Sequence, residues 1–240
     1  MTHKAAGSGA EQASRLLARA LLVRVFGDCP AEVLDRIHEA GTLRHYATGD
    51  YVVHRGTPCL YFLVVVSGEI EISVTTGSGR RHLFHFLRQG DCTGIMYLMH
   101  EGDHLFDYIA RVPTTLLAIP NGVILKEMQE QPRLCLGLLR QLALRAQIKY
   151  TRVTQDASVP LPTRLAWALQ TMANQYGLPR GDKIILDTKL SQEDIADWLG
   201  VSRQHLNPYL KQLEKEGVIC LGRSSVTILD SHRLSQLATG

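Results

Sequence analysis

Residues 191–218, SQEDIADWLGVSRQHLNPYLKQLEKEGV, constrain this chain more than any other stretch. Their apolar residues recur at helical spacing in two short runs separated by a glycine. Ile195, Leu199 and Val201 fall where they can face one core, Ala196 is small enough for a helix crossing, and Gly200 suits the turn. Ser191 with Asp194 three residues later resembles a capping box, and Ser202 stands where it can cap the second helix. Two short helices at a sharp angle form a helix-turn-helix, the unit that lays its second helix in the major groove of DNA. The polar side of that second helix carries Arg203, Gln204, Asn207 and Lys211. An arginine fork matches O6 and N7 of guanine, Gln and Asn match adenine, and a lysine meets phosphate. An ordinary amphipathic helix pair with a solvated face has the same spacing, so the residues beyond Lys211 have to decide.

Those residues favour DNA. Val218 to Leu221 and Val226 to Leu229 are β-prone runs around Gly222-Arg223-Ser224-Ser225, a hairpin signal, and a helix-turn-helix followed by a hairpin is a winged helix. Arg223 in the wing is a candidate phosphate contact. Pro208 breaks the pattern. Counted from Ser202 it is the sixth helical residue, where its missing N–H and bulky ring cost about 3 kcal/mol, so a kinked or late-starting helix is expected.

Charge does not decide the matter. The chain carries +3 overall, and residues 160–240 hold nine Lys or Arg against eight Asp or Glu, a difference of +1. Any affinity for nucleic acid must come from the placement of charges, and a protein-binding adaptor stays open as an alternative. No apolar run approaches the roughly 18–20 residues of a membrane span, and the first 20 residues lack a signal-peptide core, so a cytoplasmic protein without a membrane partner is expected. The five cysteines are scattered without a C-x-x-C pair, which points to neither a disulfide framework nor a zinc knuckle. No Walker loop, nucleophile elbow or carboxylate dyad is visible, and no catalytic residue is assigned. A β-roll enzyme of the cupin kind needs a richer metal set than the H-x-x-H of His82 and His85.

Upstream, the texture changes twice. Residues 1–20 read as a mobile N-terminal tail, although Leu16, Leu17, Ala20 and Leu21 already have helical spacing, and Pro30 can open a second short helix through Val33, Leu34 and Ile37. Residues 41–120 are short strand-like runs punctuated by glycines at roughly ten-residue intervals, the signature of a closed roll or barrel. Helix returns at Val123 to Gln129 and again from Pro132 to about Thr154, where Leu134, Leu138, Leu139, Leu142, Ala143, Ala146 and Val153 make a broad stripe. That stripe is wider than one β-roll requires, which suits a seam between two identical chains, a single core helix being the alternative. Asp156 to Pro162 read as a hinge, and Thr163 to Tyr176 as an amphipathic helix stopped by Gly177.

Taken in order, a β-roll, a long helix, a hinge and a winged helix resemble the cyclic-AMP receptor protein and FNR (Crp/Fnr) family of bacterial transcription regulators. The resemblance rests on TGDYVVHRGTP (48–58), YFLVVVSGEIEIS (61–73), RQGDCTG (88–94) and SQEDIADWLGVSRQHLNPYLKQLEKEGVI (191–219). It implies an α+β fold with a cyclic-nucleotide-binding-like β-roll with covering helices at 21–120, a dimerisation helix and hinge at 121–157, and a winged helix-turn-helix at 158–240. It further implies a homodimer on a palindromic operator, a small-molecule effector in the roll that acts allosterically, and contact with RNA polymerase. By position it assigns base reading to Arg203 and Gln204 and phosphate contact to Ser202 and Gln192.

The chain departs from that pattern at the effector site. The glutamate and Arg-Ser pair that hold cyclic nucleotides correspond to Ile95, Leu105 and Phe106, and a buried phosphate without cationic or hydroxyl partners is strongly disfavoured. Gly94, Ile95, Leu105, Phe106, Tyr108, Lys149 and Tyr150 are therefore expected to line a more apolar pocket with one cation for a carboxylate or phenolate, and cyclic AMP is not the expected effector. An iron-sulfur cluster is disfavoured because only Cys29 lies near the N-terminus. His82, His85, His100 and His104 leave a haem or metal sensor as an alternative, yet HEGDH reads as a loop with exposed histidines and no metal ligand is assigned.

Overall fold

The computed structural model describes residues 3–100, 102–154, 159–186 and 190–239. Its contacts divide the chain into two compact units, Met1–Val74 with Phe84–Ile148 and Thr75–Leu83 with Lys149–Gly240.

The first unit opens with two helices, α1 (His3–Phe26) and α2 (Ala31–Ala40). Helix thus occupies residues that the sequence reading gives to a tail. The reason is burial: Ala18, Leu22, Val25 and Phe26 of α1 share a core with Val33, Leu34 and Ile37 of α2. Strands β1 (Thr42–Tyr46), β2 (Tyr51–Val53), β3 (Tyr61–Ser67), β4 (Glu69–Thr75), β5 (Arg81–Arg88), β6 (Cys92–Thr93), β7 (Asp107–Ala110) and β8 (Thr114–Pro120) follow, with the short α3 (Ile95–Met99) between β6 and β7. They form two four-stranded sheets, ordered β1-β8-β3-β6 and β2-β7-β4-β5.

Strand β3 explains the arrangement. Alternate side chains of a strand point to opposite faces. Phe62, Val64 and Val66 enter the cluster beneath α1 and α2, while Leu63 and Val65 enter a second cluster with Ile70, Leu87, Tyr108 and Leu116. A continuous apolar run is what a strand buried on both faces demands. Helices α4 (Asn121–Glu130) and α5 (Pro132–Thr154) close the unit. Arg36 of α2 holds Glu127 of α4 through two bonds of 2.8 and 2.7 Å, which satisfies a carboxylate that is otherwise buried. Leu134 and Leu138 of α5 are buried, whereas Leu136, Leu139 and Leu144 are each more than half exposed.

The second unit contains α6 (Leu161–Tyr176), β9 (Gly177–Arg180), β10 (Lys183–Leu186), α7 (Gln192–Leu199), α8 (Arg203–Lys215), β11 (Ile219–Leu221), β12 (Val226–Ile228) and α9 (Ser231–Thr239). Its sheet runs β11-β12-β10-β9. The expected wing hairpin is β11–β12, and the β9–β10 hairpin joins it. Helix α6 stops at Gly177 as expected; the backbone there is extended (φ −77°), and the same residue begins β9. Glycine is needed there because a Cβ would lie 2.3 Å from the Ala173 carbonyl oxygen and 2.4 Å from Ile184. Of the expected hinge, residues 156–158 lie outside the described residues.

Candidate DNA interface and effector site

The helix-turn-helix is built from its caps outward. Ser191 Oγ accepts from the Asp194 backbone N–H while the Asp194 carboxylate accepts from the Ser191 backbone N–H and hydroxyl, a complete capping box at the start of α7. The Asp194 carboxylate also takes a bond of 2.5 Å from Arg81, and Arg81 donates to Asp197 at 2.7 Å. Arg81 lies in the Thr75–Leu83 segment that belongs to this unit. Two buried carboxylates on one face of α7 are thereby neutralised, as buried charge requires. Gly200 supplies the left-handed turn (φ 69°) after α7. Ser202 caps α8 by accepting from the His205 N–H at 3.2 Å.

Helix α8 packs Leu206, Leu210 and Leu213 inward against α6 and α7, whose Leu165, Leu169, Ile195 and Ala196 are fully buried. Its outward residues include Arg203, Gln204 and Lys211, all exposed, with Asn207 half-buried beside them. Ser202 is exposed at the helix start, Gln192 is half-buried on the first turn of α7, and Arg223 is exposed between β11 and β12. Of the expected kinked or late-starting recognition helix, the late start is not found. Helix α8 begins at Arg203, directly after its Ser202 cap, and runs to Lys215 with Pro208 inside it. The three buried leucines and the cap offset what the ring costs.

The effector candidates do not share one environment. Tyr108 is buried, with its hydroxyl 3.0 Å from the Thr93 hydroxyl, and burial pushes its pKa up to about 12. Gly94 caps α3, and Ile95 is buried in the cluster beneath α1 and α2. Phe106 lies against Phe84 with ring centroids 4.4 Å apart, Leu105 is 55% exposed and Tyr150 is 72% exposed. The side chain of Lys149 lies outside the described residues.

One residue at this site, Arg145, was not singled out in the sequence, and another, His104, was given a different environment. Arg145 of α5 reaches Tyr108's surroundings by donating to the Cys92 backbone carbonyl, and it lies near Asp91 and Tyr108. His104, expected to be exposed, is 5% exposed between Tyr97 and Tyr108, at centroid distances of 5.1 and 5.2 Å. Its Nδ1 has no hydrogen-bond partner among the described residues, and burial lowers its pKa. His100, by contrast, is exposed at the end of α3. Burial drives the Cys92 thiol to about 11, so it is a protonated, unreactive group at neutral pH. Among the described residues no group of three or more His, Cys, Asp or Glu is placed to hold a metal ion.

Comparison with known proteins gives these two sites a common context. A family model described as cyclic nucleotide-binding domain matches residues 43–131, and one described as Crp-like helix-turn-helix domain matches residues 163–237. The chain belongs to the Crp/Fnr family. It is 24% identical over 196 residues to the global nitrogen regulator of Synechococcus elongatus, covering 81% of this chain and 88% of that one. To the CRP-like cAMP-activated global transcriptional regulator of Mycobacterium tuberculosis it is 25% identical over 193 residues, covering 80% and 86%. The structure of FixK2 from Bradyrhizobium japonicum superposes with a TM-score of 0.72 at 20% identity, over 82% of this chain and 96% of that one. As a Crp/Fnr member the chain is a transcription regulator with a DNA-binding helix-turn-helix and a cyclic-nucleotide-binding-type sensor fold. Among the described residues no helix is long and apolar enough to cross a membrane.

Proposed function

We propose that the chain acts in the cytoplasm as a homodimer that binds a palindromic operator through α8, recruits or blocks RNA polymerase there, and answers to a small molecule held in its β-roll. The observation that carries the DNA reading is the outward face of α8: a capped helix, anchored by three buried leucines, presents Arg203, Gln204 and Lys211 to solvent. Arg203 and Gln204 read base edges, assisted by Asn207; Ser202, Gln192, Lys211 and Arg223 contact phosphates. The exposed Leu136, Leu139 and Leu144 of α5 supply the seam between the two copies. The effector is not cyclic AMP, since Ile95, Leu105 and Phe106 offer no partner for ribose or phosphate. A carboxylate or phenolate fits better, with Arg145 as its cation and the Thr93–Tyr108 hydroxyl pair as its hydrogen-bonding group.

Selection from random duplexes tests the DNA reading. The expected product is an inverted repeat with half-site centres about 34 Å apart, bound with an affinity that falls steeply with salt. Absence of any enriched sequence overturns it. A melting-temperature screen of carboxylates and phenols tests the effector reading: a hit stabilises the wild type and fails to stabilise Arg145→Gln, while cyclic AMP does nothing. Stabilisation by cyclic AMP alone overturns that reading.

A further inference from the structure

Pro208 stands in the middle of an unbroken α8, and its position on that helix is unusual. With about 100° of rotation per residue, it lies about 140–160° from each of Leu206, Leu210 and Leu213, the residues that turn inward. It is exposed, at the centre of the polar face, flanked by Gln204 four residues before and Lys211 three residues after. A helix-interior proline removes one backbone hydrogen bond and crowds the preceding turn. When such a residue packs into a core, burial of the ring offsets the loss. Here the ring points away from every buried leucine of α8, so the ring itself gains nothing from burial, and the cap and leucines that hold the helix would do so with any residue at this position. Local rules are broken in this way chiefly at functional sites.

The chemistry of the ring then selects its counterpart. Proline has no donor, no acceptor and no charge in its side chain, only three methylenes held rigidly. In the major groove the one projecting apolar group on the base edges is the 5-methyl of thymine. We propose that Pro208 is a specificity-determining residue that reads a thymine methyl in each operator half-site, and that it does so by excluding water from the methyl. This rests on the reading that α8 enters the major groove. Rigidity favours the contact, because the ring has no rotamer entropy to lose on binding.

The test uses the full-length protein and the operator recovered by selection. Each thymine of the site is replaced in turn by uracil, which deletes the methyl and leaves every hydrogen-bonding group in place. One thymine per half-site is expected to matter, its replacement weakening wild-type binding by about fourfold, the value of one buried methyl group, and by about fifteenfold when both half-sites are changed. Pro208→Ala restores the helix N–H and helix propensity, so it folds at least as well as the wild type. That variant is expected to bind thymine and uracil operators equally. The proposal is overturned if no single thymine-to-uracil change affects the wild type, or if Pro208→Ala keeps the same sensitivity. Failure to recover any operator overturns the DNA reading instead, which keeps the two outcomes apart.

Discussion

Asp194→Ala removes a residue on which several contacts of the reading unit converge. Its carboxylate closes the capping box with Ser191 and takes the 2.5 Å bond from Arg81. Loss of the cap costs about 1 kcal/mol. A carboxylate in the first turn of a helix adds about 0.5 kcal/mol through the helix dipole. The charge-assisted bond to Arg81 adds about 1.5 kcal/mol. That last figure is already at the low end, because the Arg81 side chain is 29% exposed and retains Asp197. The sum is about 3 kcal/mol, which for a unit of this size lowers the melting temperature by about 15 °C. The assay reads this unit alone, since the chain's two tryptophans, Trp167 of α6 and Trp198 of α7, both lie in it with rings 5.4 Å apart. Tryptophan fluorescence during urea unfolding therefore isolates the second unit, and Ser191→Ala, which loses only the cap, sets the scale. A loss under about 1 kcal/mol in Asp194→Ala, or one no larger than in Ser191→Ala, refutes the claim that the network as a whole holds α7.

In α5, Gly137→Ala should destabilise by about 1–3 kcal/mol, because the new Cβ would lie 2.4 Å from the Phe26 carbonyl oxygen, reversing the usual gain of Ala over Gly in a helix; hydrogen exchange of the α1 and α5 amides measures it, and protection equal to the wild type counts against that packing. His38 and His104 both have pKa values lowered by burial, so the unfolded chain binds protons first, and stability falls as pH drops below their ordinary value of 6.5, by at most about 1.4 kcal/mol per pH unit for each. Urea midpoints of wild type and His104→Phe between pH 7 and 5 check this: the variant's decline should be shallower, and equal slopes remove His104 as a contributor. Glu127 behaves in the opposite sense, its pKa held down by Arg36, so its stabilisation is full above its ordinary value of 4.5 and is lost as pH falls through its depressed one. Glu127→Gln should abolish that acid loss in the same titration. Leu139→Lys places a charge on the exposed apolar face of α5 and should convert a dimer to a monomer in sedimentation equilibrium; an unchanged mass places the seam elsewhere.

The parts that could be read from the sequence share a physical property: their signals are local. The capping box, the Ser202 cap, Gly200 and the inward leucines of the helix-turn-helix each need only neighbours within four residues. The apolar run of β3 is legible for the same reason. What was missed depends on partners far along the chain. Leu178, Pro179 and Arg180 carry no strand pattern of their own and received no assignment from the sequence; they form β9 because an edge strand tolerates a proline. His104 sits in a loop-like HEGDH, and only the arrival of Tyr97 and Tyr108 buries it. Arg145 interrupts an apolar stripe and reads as surface until the Cys92 carbonyl, 53 residues earlier, is placed beside it. Pro208 shows the reverse case: the local rule points to a kinked or late-starting helix, yet α8 starts directly at Arg203 and buries three leucines around the proline.

Methylation interference on the selected operator tests the central claim most directly. Methyl groups at guanine N7 block an arginine fork in the major groove. Wild-type protein should be blocked by one guanine in each half-site, the two about 10 base pairs apart, and Arg203→Ala should lose that interference while keeping, in a parallel phosphate-ethylation experiment, its sensitivity to backbone phosphates. Interference that is identical in Arg203→Ala, or confined to the minor groove, contradicts the account.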